Sequence, residues 1–318
     1  MVNKRVVRDY EFHLHHFSEA VRVKCLPDAQ IGAPQAIHAE GTILDISFEV
    51  YPPRKTEDEP RLHEAIAKLG ELGPRFISVT FGAGGSSTKN SLDVLRQVRA
   101  LTEAMPLAHL TCVGTTESEA ADLVREFEAA GITDFLALRG DLPEGQSAPG
   151  PDSLARADQL VSLIRAQSTG KIAVAAFPNG HPESGVERSD LDALLAKQEA
   201  GADFAITQLF FYTSDYLEFL ELARERGVTI PIIPGIMPIV SARRLERVLE
   251  LTGERRPEPL ASQLAQAADA AARIEIGVEW AAKQVAELDA AGIDAVHLYA
   301  FNEYKNVSEV LRRAGVRG

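Results

Sequence analysis

Short apolar runs alternate with longer amphipathic stretches from residue 42 towards the C-terminal end of the chain. The short runs are rich in β-branched residues and predict strands, whereas the longer stretches between them predict helices. The predicted strands cover residues 42–50, 76–81, 107–112, 134–140, 171–178, 204–211, 231–238 and 295–302. The predicted helices cover residues 59–72, 87–104, 117–130, 153–167, 189–200, 214–226, 241–251, 259–272 and 275–290.

The alternation of strands and helices predicts a parallel sheet whose strands are joined by crossover helices. The continuous apolar run at residues 172–177 fits a strand that is buried on both faces. Eight strand–helix units favour an α/β fold, a (β/α)8 TIM barrel over residues 41–318, with an N-terminal arm over residues 1–40 and an extra helix before the last strand. The alternative is an open doubly wound sheet. That fold usually has a glycine-rich phosphate-binding turn after its first strand, where this chain has Pro52-Pro53-Arg54.

Composition and charge narrow the possible partners. The chain has 33 Lys and Arg against 46 Asp and Glu, and a net charge of −13 argues against a nucleic-acid-binding surface. No apolar run approaches the ~18 residues of a membrane span, and the N-terminus has no apolar signal core, so we expect a cytoplasmic protein without membrane contact. Cys25 and Cys112 indicate no disulfide framework, and the histidines of segment 12–17 fit a solvated arm better than a metal site.

Polar residues recur where the predicted strands end, inside runs that are otherwise apolar. They are Glu49, His109, Arg139, Asp141, His181 and Gln208, with Gly140 between Arg139 and Asp141. In a (β/α)8 barrel the active site lies at the carboxyl ends of the strands, and a buried polar group is costly unless it is paired. Each residue alone could be structural: Glu49 as an ion-pair partner, His109 as a core histidine, and Arg139 with Asp141 as a salt bridge. Together they favour a site for a cofactor that supplies the chemistry.

Six motifs at these positions resemble those of the methylenetetrahydrofolate reductase family, the flavoprotein barrel enzymes of one-carbon metabolism. They occur in the family's order and span about residues 42–315. The motifs are SFEVYPPR at 47–54, SVTFGA at 78–83, HLTC at 109–112, ALRGDLP at 137–143, AGA at 200–202 running into ITQLFF at 206–211, and IPGIMP at 233–238.

The resemblance implies that FAD lies across the strand ends, that NADH or NADPH reduces it, and that 5,10-methylenetetrahydrofolate then takes the hydride to give 5-methyltetrahydrofolate. Glu49 matches the family's general acid, Asp141 the aspartate that tunes the flavin and contacts the pterin, and Gln208 the amide that orients both substrates. An acid with this role must hold its proton near neutral pH, and the neighbouring Phe48 and Tyr51 are expected to provide the apolar setting that raises its pKa.

The resemblance also implies binding positions and partners. Arg139 and Lys197 are the expected anchors for the pyrophosphate of FAD. The expected partners are small molecules, a folate and a nicotinamide dinucleotide, together with further copies of the chain in a homo-oligomer. The implied cofactor-binding residues are Thr80, Phe81, Ala83, His109, Arg139, Gly140, Asp141, Ala157, Phe177, His181, Asp190 and Lys197. The implied substrate-binding residues are Glu49, Asp141, Gln208, Arg244, Tyr299 and Glu303.

The chain departs from the family pattern at several binding positions. Ala193 and Ala196 stand where polar or basic residues are expected, and Phe177 replaces a tyrosine. Glu303 stands where an arginine helps to hold the folate.

Two further departures lie around the seventh helix. Arg244 replaces a glutamine that contacts the folate, and Val248 replaces an aromatic residue. Arg244 and Glu303 are candidates for a compensating exchange.

Three other functions stay open at this point. The chain could be a paralogue that oxidises methyltetrahydrofolate in methyl-group catabolism, or a flavin-free reductase that passes hydride directly from NADH to the folate. It could also be a non-catalytic relative that binds folate or flavin. The retention of Glu49, Asp141 and Gln208 argues against the non-catalytic relative. The leading hypothesis is a flavin-dependent reductase that serves methionine biosynthesis, with NADH preferred to NADPH as the donor.

Overall fold

The computed structural model describes residues 44–53, 55–80, 88–140, 153–181 and 188–317. Within these ranges, nine strands alternate with ten α-helices. The strands are β1 (Asp45–Val50), β2 (Phe76–Val79), β3 (Met105–Thr111), β4 (Asp134–Leu138), β5 (Ile172–Ala176), β6 (Phe204–Thr207), β7 (Ile232–Ile233), β8 (Gly235–Ile236) and β9 (Ala295–Tyr299). The helices are α1 (Glu59–Gly70), α2 (Thr88–Leu101), α3 (Glu117–Ala129), α4 (Ala157–Gln167), α5 (Arg188–Glu199), α6 (Thr213–Glu225), α7 (Ala242–Thr252), α8 (Glu258–Gln266), α9 (Ala270–Ala290) and α10 (Tyr304–Arg313).

All the strand pairs are parallel, and the sheet runs in the order β7-β6-β5-β4-β3-β2-β1-β9-β8. Its two ends, β7 and β8, are separated in the chain by Pro234 alone, so the sheet curls into a nearly closed barrel. The predicted (β/α)8 TIM barrel is therefore confirmed, and the open doubly wound sheet is excluded.

The seventh strand is one predicted run, 231–238, but the structure divides it at Pro234. Proline has no N–H to donate to a neighbouring strand. β7 therefore pairs with β6 before the break and β8 pairs with β9 after it, while the Pro234 carbonyl still accepts a bond of 2.9 Å from the His297 N–H.

Several predicted strands run past their observed ends, because an apolar run reports burial and not conformation. The clearest case is the stretch after β6. Leu209, Phe210 and Phe211 are 2–3% exposed, yet they lie in the loop that follows Thr207. Leu209 and Phe211 join a buried cluster with residues of α7 and α8, and Phe210 joins the main core.

Helix α10 was not predicted, although a barrel unit requires a helix after its last strand. The signal was present, since Val307, Val310 and Leu311 have helical spacing and are buried. The extra helix predicted at 259–272 is found as α8, and the longer helix predicted at 275–290 is found as α9. The arm over residues 1–40 lies outside the described residues, so the proposed domain division stays a prediction.

The interior of the barrel changes from apolar to polar along its axis. Side chains two residues apart on a strand point to the same face. The lower interior is an apolar cluster that contains Phe76, Leu107, Leu136, Ala173, Ile206 and Ile233. Two residues further along the chain from these lie Ser78, His109, Leu138, Ala175, Gln208 and Gly235, the last two of which come after the ends of β6 and β7. The apolar cluster therefore fills the interior below the open end of the barrel. This open end, the mouth of the barrel, is lined partly by polar groups. Among the described residues, no helix is long and apolar enough to cross a membrane.

Candidate active site

Most of the described residues predicted to act on a ligand lie at one opening of the barrel, because the carboxyl ends of parallel strands face the same way. Those on or directly after a strand end are Glu49, Thr80, His109, Arg139, Gly140, Phe177, Gln208 and Tyr299. Phe81, Ala83 and Asp141 lie outside the described residues. Ala157 is buried and is the first residue of α4, and Asp190 and Lys197 lie on α5.

Glu49 and His109 face each other inside this opening. Their Oε2 and Nε2 atoms are 3.6 Å apart, with 22% and 7% of the side chains exposed. Burial raises the pKa of Glu49 to about 8 and lowers the pKa of His109 to about 3. Near neutral pH the pair is thus a protonated carboxyl beside a neutral imidazole. The Nε2 of His109 is buried and has no hydrogen-bond partner among the described residues.

The setting of Glu49 differs from the one expected from its sequence neighbours. Phe48 is fully buried in the core on the helix side of β1, because successive side chains of a strand point to opposite faces. The expectation that Phe48 surrounds the carboxyl is therefore wrong. Tyr51 is 37% exposed and packs edge-on against Phe301. The residues beside Glu49 in the sheet are Ser78 and Tyr299.

Tyr299 anchors the opening from the β9 side. Its hydroxyl donates a 2.8 Å hydrogen bond to the carbonyl of Thr207, whose own hydroxyl accepts a 2.9 Å bond from the N–H of Gly235. Burial, and then the charge of Glu49, raise the pKa of Tyr299. A Cβ on Gly235 would lie 2.3 Å from the Thr207 carbonyl and 2.8 Å from the Tyr299 ring, so only glycine fits here.

His297 and Ser47 form a second buried pair deeper in the barrel, which the sequence analysis missed. Ser47 Oγ and His297 Nδ1 are hydrogen-bonded at 2.9 Å, and the His297 ring stacks on Phe76. Burial, with a smaller effect of His109, lowers the pKa of His297 to about 3. The available signal was the two-residue spacing of polar positions, Ser47 before Glu49 and His297 before Tyr299.

The turn after β4 presents Arg139. Its carbonyl accepts bonds from the N–H groups of Cys112 (3.2 Å) and Val113 (2.8 Å), which fixes the turn to the end of β3. Gly140 has a φ of +83°, and a Cβ there would lie 3.0 Å from Thr111, so both conformation and space favour glycine. Burial raises the pKa of the Cys112 thiol to about 11, which makes it a packing residue and not a nucleophile.

Lys197 reaches the site from α5. Its Nζ donates a 2.9 Å hydrogen bond to the carbonyl of Ala175 on β5. Burial lowers its pKa to about 8; Asp190 and Asp158 oppose this shift, and Arg139 adds to it. The predicted anchors Lys197 and Arg139 are thus close enough to act on each other.

The loop after β5 joins this side of the site. The rings of Phe177 and His181 are 4.7 Å apart, edge to face, and the N–H of His181 donates a 3.1 Å bond to Asp190. Ala193 lies between Asp190 and Lys197 at helical spacing and is exposed. This face of α5 therefore has a gap in its polar groups at Ala193.

Gln208 is held by its backbone and leaves its amide nitrogen available. Its N–H donates a 2.8 Å bond to Ala176, and its Oε1 accepts a 2.9 Å bond from the N–H of Leu209. The half-buried Nε2 forms no hydrogen bond within the described residues. It can donate to a ligand in the opening.

Arg244 and Glu303, the two candidates for a compensating exchange, both lie near the end of β9. The guanidinium of Arg244 lies over the ring of Phe301, 4.7 Å from its centroid. Glu303 forms an ion pair with Arg61. Arg244 and Glu303 thus contact different partners.

Comparison with known proteins agrees with this geometry. The family model described as methylenetetrahydrofolate reductase matches residues 35–315. The chain is 33% identical over 275 residues to the 5,10-methylenetetrahydrofolate reductase of Escherichia coli K12, covering 86% of this chain and 92% of the relative. It is 31% identical to the probable methylenetetrahydrofolate reductase (NADH) of Oryza sativa, covering 89% of this chain and 50% of that longer protein.

Solved structures show the same fold at lower sequence identity. An uncharacterised Clostridium thermocellum protein that binds two copies of 5-methyl-5,6,7,8-tetrahydrofolic acid has a TM-score of 0.58 at 14% identity, over 86% of this chain and 94% of that chain. The family match and the curated relatives each cover most of the chain, and so the protein belongs to the methylenetetrahydrofolate reductase family.

Proposed function

We propose that the protein reduces 5,10-methylenetetrahydrofolate to 5-methyltetrahydrofolate, with NADH or NADPH as the hydride source and FAD as the carrier. One NAD(P)H and one proton are consumed for each methyl group formed. The observation that carries this proposal is Glu49, a carboxyl whose raised pKa keeps it protonated in the barrel mouth, within a chain of this family.

The residues present fit FAD. Arg139 and Lys197 provide two neighbouring cations for a pyrophosphate in a chain with a net charge of −13. The buried Nε2 of His109 has no hydrogen-bond partner within the described part of the chain, and a bound group can pair with such an atom. When bound, FAD accepts a hydride from the nicotinamide and delivers it to the folate.

Glu49 supplies the proton in this mechanism. The five-membered ring of the folate must open before its one-carbon unit accepts a hydride, and the departing nitrogen needs a proton. A carboxyl with a pKa of about 8 holds its proton at neutral pH until the substrate is in place. The neutral His109 beside it adds no positive charge that would lower this pKa.

Gln208 orients the reacting groups. Its carbonyl oxygen is bonded to the N–H of Leu209, which sets the direction of its free amide nitrogen. Asp141, for which the family resemblance suggests contacts with flavin and pterin, completes the proposed catalytic set. Phe177 provides an aromatic ring at the end of β5, while the hydroxyl of Tyr299 is held by the Thr207 carbonyl.

The flavin-free reductase is a second candidate, motivated by the gap at Ala193 on α5. A visible absorption spectrum of the purified protein separates the two candidates. Flavin bands near one FAD per chain support the flavin route, and a colourless protein that reduces methylenetetrahydrofolate with NADH supports direct transfer.

Replacing Glu49 tests the assignment of the acid. In rapid-mixing experiments without oxygen, we expect Glu49→Gln to slow the folate half-reaction at least 100-fold, because the amide has no acidic proton. Reduction of the flavin by NADH should stay within about twofold of wild type. Glu57→Gln, an exposed residue before α1, is the control with the same charge change. If the folate half-reaction of Glu49→Gln is unchanged, Glu49 is not the acid.

A further inference from the structure

One asparagine side chain joins three separate elements around the mouth of the barrel. Asn179 follows β5, and its Nδ2 donates a 2.7 Å hydrogen bond to Oε2 of Glu254 and a 3.3 Å bond to Oδ2 of Asp215. Glu254 lies in the connection between α7 and α8, and Asp215 lies in the first turn of α6. A single amide group therefore connects parts of the chain that are distant in the sequence.

Asn179 lies in a tight turn that carries two of the residues proposed to contact the cofactor. The N–H of Gly180 donates a 3.2 Å bond to the carbonyl of Phe177, which closes the turn. The rings of Phe177 and His181 flank the turn and pack edge to face. The N–H of His181 is bonded to Asp190 on α5. The hydrogen bonds of Asn179 thus hold from a second side a turn that is also bonded to α5.

The other end of this link is part of a well-packed region. The backbone N–H of Glu254 donates a 3.3 Å bond to the hydroxyl of Thr252, at the end of α7. Leu245 on α7 and Leu260 on α8 are buried in one cluster with Phe211, from the loop after β6. Glu254 is therefore placed by the two helices on either side of it, and it is a fixed acceptor for the turn after β5.

The charge of Glu254 depends on its surroundings. Burial and the carboxylate of Asp215 raise its pKa to about 7, against the opposing effects of the Asn179 hydrogen bond and of Arg255, whose guanidinium lies over the ring of Tyr212. A solvated glutamate has a lower pKa, so proton uptake favours the state in which Glu254 is held against Asn179. Below about pH 7 the neutral carboxyl accepts the amide bond without repelling Asp215. Above that pH, two carboxylates share one amide group.

We propose that Glu254 and Asn179 are positioning residues, which hold the turn after β5 in place for the cofactor through their hydrogen bond. This hold is firm while Glu254 is neutral and weakens as the pH rises through neutrality, because its carboxylate then repels that of Asp215. The inference rests on the proposed function, since it requires FAD beside Phe177 and His181.

The test measures how fast the holoenzyme releases FAD after dilution, at pH 6 and at pH 7.5, from the rise in flavin fluorescence. Lys197, with a pKa of about 8, keeps most of its charge in this range. We expect the wild type to release FAD about threefold faster at pH 7.5 than at pH 6. Glu254→Gln keeps the acceptor oxygen but cannot ionise, so it should release FAD slowly at both pH values. Asn179→Ala removes the donor and should release FAD quickly at both.

Two further variants separate this link from general effects of charge. Asp215→Asn should move the rise in release rate to lower pH, because Asp215 contributes to the raised pKa of Glu254. Glu218→Gln, at an exposed position on α6, makes the same change in net charge as Glu254→Gln and should behave like wild type. Melting temperatures of all variants show whether each is folded.

Other outcomes overturn the proposal in distinguishable ways. Wild-type release rates of Asn179→Ala at both pH values would show that the link does not hold the turn. A pH dependence that persists in Glu254→Gln would assign it to another group. Both results would leave the proposed function standing. A purified protein that neither contains nor binds FAD would refute the flavin route of the proposed function, and this inference with it.

Discussion

At the scale of single residues, burial acts in opposite directions on the two groups at the centre of the site. Removal from water disfavours the charged form of each, so it raises the pKa of Glu49 to about 8 and lowers that of His109 to about 3. An acid that keeps its proton and an imidazole that stays neutral lie 3.6 Å apart. A general acid at neutral pH needs this combination, because a charged imidazole would stabilise the carboxylate and lower its pKa.

The raised pKa predicts the pH dependence of the folate half-reaction. The protonated form of Glu49 is the active one, so the rate should be highest well below pH 8 and fall tenfold per unit above it. The measurement is the single-turnover rate of the reduced enzyme with methylenetetrahydrofolate between pH 6 and pH 10. Flavin reduction by NADH is the internal control and should not show this decline. A rate that already falls tenfold between pH 6 and pH 7, as expected for a glutamate with an ordinary pKa, would contradict the assigned role.

At the scale of elements, the break between β7 and β8 shapes the opening. Pro234 interrupts the seventh strand, and Gly235 then lets the Thr207 carbonyl and the Tyr299 ring approach within a distance that no side chain permits. Because Gly235 has no side chain, the hydroxyl of Tyr299 can reach the Thr207 carbonyl and donate a hydrogen bond to it. The interrupted seventh strand thus sets the position of Tyr299, which neighbours Glu49 in the sheet.

We expect Gly235→Ala to destabilise the protein by about 2–3 kcal/mol, because the new methyl group overlaps backbone that cannot move freely. Folate turnover should fall as well, since Tyr299 must shift. Gly73→Ala is the matched control: it has a positive φ and open space, so it should cost only about 1 kcal/mol of backbone strain. Urea unfolding measures both. Equal losses in the two variants would show that the crowding at Gly235 is relieved at little cost.

At the scale of the whole molecule, a chain with a net charge of −13 is proposed to bind small molecules that carry several negative charges. The positions of a few cations therefore matter more than the number of cations. Arg139 and Lys197 converge on one side of the opening from different elements, and Arg244 lies on the rim beside β9. The positions of Arg139 and Lys197 suit the pyrophosphate of the proposed cofactor.

Lys197→Gln should raise the Kd for FAD about tenfold or more, because a buried charge-assisted contact is lost. Lys283→Gln, an exposed lysine on α9, makes the same change in net charge and should leave the Kd unchanged. Flavin fluorescence titration of the apoprotein measures both. Wild-type affinity should also decline above pH 8, as Lys197 loses its proton, while that of Lys197→Gln should not. Equal effects of the two substitutions would mean that overall charge, not this lysine, controls binding.

The barrel, most of its elements and the end at which its polar residues gather could be predicted from the sequence. These features are local or periodic: apolar runs mark buried strands, and polar residues at strand ends mark the opening. The predicted strands that run too far arise from the same apolar pattern. Phe210 and Phe211 are apolar but lie in a loop, because pattern reports burial and not backbone conformation.

The amino-acid sequence by itself determined the fold, the family motifs and the residues that can carry the chemistry. Only the tertiary structure decided which of them face each other. The pairing of Ser47 with His297, the position of Arg244 over Phe301 and the ion pair of Glu303 with Arg61 all depend on contacts between residues far apart in the chain. Such contacts follow from strand register and helix packing, and no local pattern specifies them.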